Sequence, residues 1–210
     1  MENHEKMLLV INPRSGKGKI KNRLLEILDI FTKAGYEIQV HITQQACEAR
    51  DVVARCGNNK DLIVCSGGDG TLNETISGMM ELEHCPELGY IPAGSTNDFA
   101  ASLRIPRQMS AAALSAVGGE SSRIDIGKFC EERYFVYVAG FGAFTEVSYL
   151  TSQDKKNLLG HQAYVLEGVK SLSSIKAYPL KISGGETCYE GNFIFGMVTN
   201  TISVGGFKGL

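Results

Sequence analysis

The residues best suited to chemistry lie in one run, Gly67-Gly68-Asp69-Gly70-Thr71. Glycines let the main chain take conformations closed to other residues and let a ligand approach it closely. Successive N–H groups in such a turn can form an anion-binding nest, and a helix starting behind them adds partial positive charge. These are the requirements for holding phosphate. A bare carboxylate beside phosphate is repulsive, so Asp69 fits the turn if Mg²⁺ or its bound waters lie between them. Thr71-Leu72-Asn73-Glu74 also matches a helix capping box, with Thr71 capping and Glu74 reaching back. Glu74 is therefore either a capping residue or a ligand contact, and Thr71 can serve in both ways.

Two further turns carry candidate groups. Asn12–Lys19 holds a small Ser15-Gly16 pair beside Arg14, Lys17 and Lys19, which could steer a polyphosphate or simply form a basic loop. Pro92–Asp98 holds Ser95, and Asp98 follows it at the third position, where a capping role is an alternative. The generic motifs do not fit. Gly16-Lys17-Gly18-Lys19 lacks Walker A spacing, no turn has the Rossmann glycine pattern, and Gly94-Ser95-Thr96 is followed by Asn97 rather than by the glycine of a nucleophile elbow.

The elements that must position these turns alternate in type. Met7–Ile11 is an apolar run closed by Asn12-Pro13 and predicts a buried strand. Leu24, Leu25, Ile27, Leu28 and Phe31 recur at helical spacing up to Gly35. Strands are expected at Glu37–Thr43, Asp61–Cys65 and Leu88–Ile91, and helices around Ala46–Val53, Leu72–Met80 and Ala111–Val117. This predicts an α/β fold with an N-terminal doubly wound parallel sheet and helices on both faces, its ligands at the edge where strands run into helices. All three turns fall at that edge.

Composition shifts near residue 125. Strands are expected at Arg133–Phe141, Tyr178–Ser183 and Asn192–Val198, with a helix face at Leu158, Val165, Leu166, Val169 and Leu172. The expected organisation is a nucleotide-binding domain over 1–125 and a partial β-rich lipid or substrate domain over 126–210. No Asp or Glu follows Glu190, and the chain ends on an apolar, glycine-rich stretch, so the second domain is expected to be incomplete.

Bulk properties exclude other classes. The formal charge is −2 and the pI about 6.1, without the basic footprint of a nucleic-acid binder or a broad basic membrane face. The six cysteines form no C-x-x-C pair and read as reduced, mostly buried thiols of a cytoplasmic protein. No signal peptide and no spanning segment is visible, so membrane association would be peripheral.

Asn12-Pro13-Arg14-Ser15-Gly16, then Gly67 to Glu74, then Pro92-Ala93-Gly94-Ser95-Thr96-Asn97-Asp98-Phe99-Ala100 resemble, in order and spacing, the three signature blocks of the diacylglycerol kinase catalytic domain. The resemblance is to the bacterial soluble type and covers essentially the whole chain. The central block is shared with NAD kinases and phosphofructokinases, and the third separates them. The resemblance implies an ATP- and Mg²⁺-dependent kinase acting on a lipid hydroxyl at the membrane surface. Asn12, Pro13, Arg14, Ser15, Gly16, Thr43, Gly67, Gly68, Asp69, Gly70, Thr71, Leu72, Asn73, Glu74 and Ser95 would bind the nucleotide. Asp69, Asp98 and Asp125 would organise Mg²⁺ and water. Read directly, Asp125 lies in a strand between Ile124 and Ile126, where it is alternatively a solvated carboxylate.

The family places its general base and further magnesium contacts in the C-terminal part of the second domain. Gly205-Gly206-Phe207 looks like the start of that segment, and no residue here matches the base. An NAD kinase-like phosphotransferase and a nucleotide-binding regulator without turnover are the alternatives. The lipid acceptor and a homodimer are left open.

Overall fold

The computed structural model describes residues 4–130, 133–143 and 175–200, with strand backbone at Ser203–Val204 and Phe207–Lys208. The chain packs as two compact units, Met1–Tyr137 with Asn200–Leu210, and Val138–Thr199.

The first unit is built on four parallel strands, β1 Glu5–Ile11, β2 Tyr36–Ile42, β3 Leu62–Gly67 and β4 Glu87–Pro92, in the order β2-β1-β3-β4. The inner strands β1 and β3 read as continuous apolar runs because both faces of the sheet are covered. Met7, Leu9, Leu62 and Val64 pack with Ile27 and Phe31 of α1 (Leu24–Lys33) and Ala112 and Ala113 of α5 (Met109–Gly118). Leu8, Val10 and Ile63 point the other way, onto Ala49, Val52 and Val53 of α2 (Glu48–Cys56) and Met79 of α3 (Asp69–Met79). Period-two alternation thus divides one apolar run between two helix layers. Helix α1 shows how its face is set. Leu24, Ile27, Leu28 and Phe31 recur at helical spacing, an Asp29–Lys33 pair at 2.6 Å spans one turn of its outer side, and Gly35 at φ 91° ends it. Phe31 is fully buried, and Phe31→Ala would cost about 3–5 kcal/mol.

Because the strands are parallel, their C-terminal ends share one edge. Asn12, Thr43, Gly68 and Ala93 follow there, and the short helix α4 (Asp98–Ser102) lies just beyond. After α5 come the antiparallel pair β5 Gly127–Phe129 and β6 Arg133–Phe135. The second unit pairs β7 Val138–Gly142 with β10 Phe195–Thr199, and β8 Tyr178–Gly184 with β9 Thr187–Phe193. In the first unit, β11 Ser203–Val204 pairs with β12 Phe207–Lys208. The predicted α/β class, with a β-rich C-terminal part, is the one observed.

Several boundaries differ from expectation. The strand expected over Arg133–Phe141 is two, because Val136 turns into the core beside Cys65, Leu72 and Phe99 and breaks the run. The strand expected over Asn192–Val198 is likewise divided at Ile194, and its first half begins at Thr187. The helix face at Leu158, Val165, Leu166, Val169 and Leu172 lies outside the described residues. The cysteines are free but not mostly buried: Cys65 is buried and Cys56 half-buried, whereas Cys47, Cys85, Cys130 and Cys188 are exposed. Cys47 is not helical but precedes α2 at φ 65°. Among the described residues no helix is long and apolar enough to cross a membrane.

Candidate phosphate-binding site

The three turns are joined by main-chain packing and side-chain hydrogen bonds. In the first, the Asn12 amide serves two elements. Its Oδ1 accepts from Arg14 N at 3.0 Å, shaping the turn, and its Nδ2 donates to Thr71 Oγ1 at 2.9 Å. Asn12 N donates to Ser66 O at 2.9 Å, so β1 and β3 stay zipped to the end of the strands. Gly16 sits at φ 55° against the Ala93 carbonyl, where a Cβ would collide with it. Ser15 is buried, Pro13 half-buried, and Arg14, Lys17 and Lys19 are exposed.

Each glycine of the central turn has its own neighbour. A Cβ on Gly67 would lie 2.5 Å from Thr71 Cβ. Gly68 faces Gly94, and a Cβ on Gly94 would lie 2.7 Å from Gly68 Cα. Gly70 is exposed, and among the described residues a Cβ there would meet nothing within 4 Å beyond its own helix backbone and chain neighbours. Packing within the protein therefore explains the first two glycines and leaves the third unexplained.

The capping box is not formed. Helix α3 starts at Asp69 with Gly68 as its N-cap, and no side chain caps it. Thr71 is already the third helical residue, and its hydroxyl accepts from Asn12. Glu74 is half-buried, a turn into the helix, and makes no capping bond. The first N–H groups of an α-helix have no intrahelical partner, and here they open onto the shared sheet edge.

Asp69 ties α3 to α4. Its Oδ2 accepts from Asp98 N at 3.2 Å and its Oδ1 from Phe99 N at 3.3 Å. Burial raises its carboxyl above the ordinary carboxylate range, with the Asp98 charge adding to the rise and three main-chain donors, the N–H groups of Phe99, Asp98 and Asp69 itself, opposing it. A cation at the site would favour the ionised form and reverse that balance. Asp98 is itself buried at the first position of α4; the cap position belongs to Asn97, so Ser95 does not pair with it as a cap. Asn97, at φ 54°, closes the third turn by accepting from Gly94 N at 2.9 Å and donating to Gly94 O at 2.8 Å. Ser95 is exposed at the tip of that turn.

Other expected residues fall into place differently. Thr43 follows β2, is buried, and donates through both N and Oγ1 to Ile11 O, at 2.9 and 3.3 Å. Leu72 is buried in the core. Asn73 brackets the next element: its Nδ2 donates to Tyr134 O at 3.2 Å and its Oδ1 accepts from Val136 N at 3.1 Å. Asp125 is not in a strand. It is exposed on the coil ahead of β5, with Ile124 exposed and Ile126 packed on the core, so the two isoleucines do not share a face. Its carbonyl accepts from Asn200 Nδ2. Among the described residues no three His, Cys, Asp or Glu side chains gather into a group that could hold a metal directly.

Two contributors were not expected from sequence. Tyr90 is buried in β4, and its hydroxyl donates to Gly67 O at 3.2 Å. Asn97 was visible only as a member of the third block. An αL residue closing a turn is a known habit of asparagine, and that signal could have found it. Nothing in the β4 pattern distinguishes Tyr90 from a packing aromatic.

A parallel sheet whose glycine turn opens an uncapped helix end toward two neighbouring turns is an α/β domain with the arrangement a phosphate site requires. The comparisons with known proteins give the family. The model of the diacylglycerol kinase catalytic domain matches residues 6–129, and the chain belongs to that family. It is 38% identical over 204 residues to a diacylglycerol kinase of Bacillus subtilis (strain 168), covering 96% of this chain and 67% of that protein. A Staphylococcus saprophyticus diacylglycerol kinase is 36% identical over 203 residues, covering 96% and 66%. A crystal structure of a diacylglycerol kinase from Bacillus anthracis str. Sterne superposes with a TM-score of 0.78 at 28% identity, covering 99% of this chain and 68% of that one. The chain thus spans about two thirds of the length of these relatives.

Proposed function

We propose that the chain supplies the ATP-binding part of a Mg²⁺-dependent lipid kinase that moves the γ-phosphate of ATP to a lipid hydroxyl such as that of diacylglycerol. The observation that carries this reading is the uncapped N-terminus of α3, held open at the sheet edge between two tethered turns. Family membership supports the acceptor class.

Phosphoryl transfer needs positioning and charge neutralisation more than covalent help. The N–H groups of Gly68, Gly70 and Thr71 would hold phosphate oxygens. Asn12 to Gly16, with Thr43 and Ser95, would line the nucleotide. Arg14, Lys17 and Lys19 add positive charge at the approach. The oxygen donors of Asp69 and Asp98 suit Mg²⁺, and the raised carboxyl of Asp69 is one that a cation would relieve. Magnesium would neutralise charge on the transferring phosphate; Asp125 joins the proposed set through water. Residues 1–125 are taken as the nucleotide part and 126–210 as the acceptor part, working peripherally at a membrane surface.

The test is to incubate the full-length protein with ATP, Mg²⁺ and a panel of lipids, with NAD as a soluble acceptor. A phosphorylated lipid is expected. Folded protein that yields no ATP-dependent lipid product, or that phosphorylates NAD instead, contradicts the proposal.

A further inference from the structure

The Gly67–Gly68 peptide lies between two residues without side chains, so sterics alone do not hold its plane. Its carbonyl and the Gly68 N–H belong to one planar trans unit and point in opposite directions. Whatever fixes the carbonyl therefore aims the N–H. Two donors fix it: Ala93 N at 2.7 Å and Tyr90 Oη at 3.2 Å. The first is part of the hold between β3 and β4. The second is a side-chain addition to it.

Tyr90 is 5% exposed, and its ring packs in the cluster with Cys65, Leu72, Ile76 and Phe99. Burial drives the phenol far above its ordinary range, so it stays a donor across the working pH scale. Its oxygen also lies 3.5 Å from Asn97 Oδ1, the atom that receives Gly94 N in the third turn. One hydroxyl thus stands between the glycine turn and the turn that packs against it. A phenylalanine would fill the same apolar space, so packing does not call for the hydroxyl.

We propose that Tyr90 is a positioning residue for phosphate binding: its hydroxyl keeps the Gly67–Gly68 peptide from flipping and so keeps the Gly68 N–H directed at the bound phosphates. This assignment rests on the nucleotide-binding reading above. It acts through the main chain and needs no contact between the tyrosine and ATP.

Tyr90→Phe tests it, because the ring and its packing are retained. Calorimetric titration with Mg²⁺-ATP, and adenosine binding followed by NMR shifts, would be compared in the wild-type and variant chains, with thermal melts alongside. A single hydrogen bond predicts an ATP affinity about 5- to 10-fold weaker in the variant. Adenosine, which carries no phosphate, should bind within about twofold of wild type on the same reasoning. A melting temperature lowered by roughly 2–4 °C fits either role, so the ligand ratio decides. Equal losses for both ligands, or an unchanged ATP affinity, would overturn the assignment. A wild-type chain that binds no ATP would overturn the nucleotide-binding reading together with it, and so is distinguishable from a failure of Tyr90 alone.

Discussion

The glycine turn after β3 and the turn after β4 hold their shapes by opposite means. The later turn is closed from within, because Asn97 binds both the N–H and the carbonyl of Gly94. The glycine turn is held from outside. Ala93 and Tyr90 donate to Gly67 O, Asn12 donates to Thr71, and the Asp69 carboxylate accepts from the main chain of α4. The difference is the one the proposed phosphate site requires. A turn closed by its own amides has fewer to offer; a turn shaped by its neighbours keeps its N–H groups open.

The largest expected effect comes from Asp69. Asp69→Ala would remove the carboxylate that the Asp98 and Phe99 N–H groups donate to, mixing structural and catalytic losses. Asp69→Asn keeps one acceptor and removes the charge. Turnover of the full-length kinase should fall roughly 100-fold or more, as for loss of a group that stabilises transferring charge. Full turnover in a folded Asp69→Asn protein would remove Asp69 from the magnesium network. Asn97→Gly comes next. Glycine accepts the φ of 54° but loses both bonds to Gly94, at a cost of about 1–3 kcal/mol in denaturant unfolding. An unchanged midpoint would mean that the later turn is not self-closed.

A smaller effect is the pH dependence set by Asp69. Its folded-state carboxyl is raised, so the folded protein holds that proton more tightly than the unfolded chain. This contribution favours folding most below the ordinary carboxylate range, and is lost as pH rises through that range to the raised folded value. Melting curves without Mg²⁺ should show this fall in the wild-type chain and a shallower one in Asp69→Asn. Identical slopes would rule out the raised carboxyl.

Much of this comparison could be read from residue order alone, and the unread part has a physical cause. The alternation of strands and helices and the gathering of three turns at one edge follow from local periodicity and turn chemistry. The start of α3 did not, because a Thr-x-x-Glu pattern and an uncapped glycine start are equally regular locally; the Asn12 amide, 59 residues away, decides what Thr71 does. Asp125 reads as a strand residue because Ile124 and Ile126 flank it, yet only Ile126 finds a core to pack on. Asn73 reads as a ligand residue because it sits in the signature block, and the tie of its amide to Tyr134 and Val136, more than 60 residues on, has no local signal. Tyr90 was invisible because its function lies in a hydroxyl that crosses between strands.

Gly70 offers the most direct test of the central claim, that the amides after β3 are kept open for phosphate. Among the described residues, no atom outside the helix's own backbone and the two chain neighbours lies within 4 Å of the position a Cβ would take there, so Gly70→Ala meets no clash with them. Removing a glycine from the first turn of α3 should leave stability unchanged or raise it, by up to about 0.5–1 kcal/mol. The measurement is the melting temperature and the Mg²⁺-ATP affinity of Gly70→Ala beside wild type. A melting temperature equal or higher, with ATP binding at least about tenfold weaker, is the predicted result. Unchanged ATP affinity in the folded variant would show that no phosphate approaches the main chain at this turn.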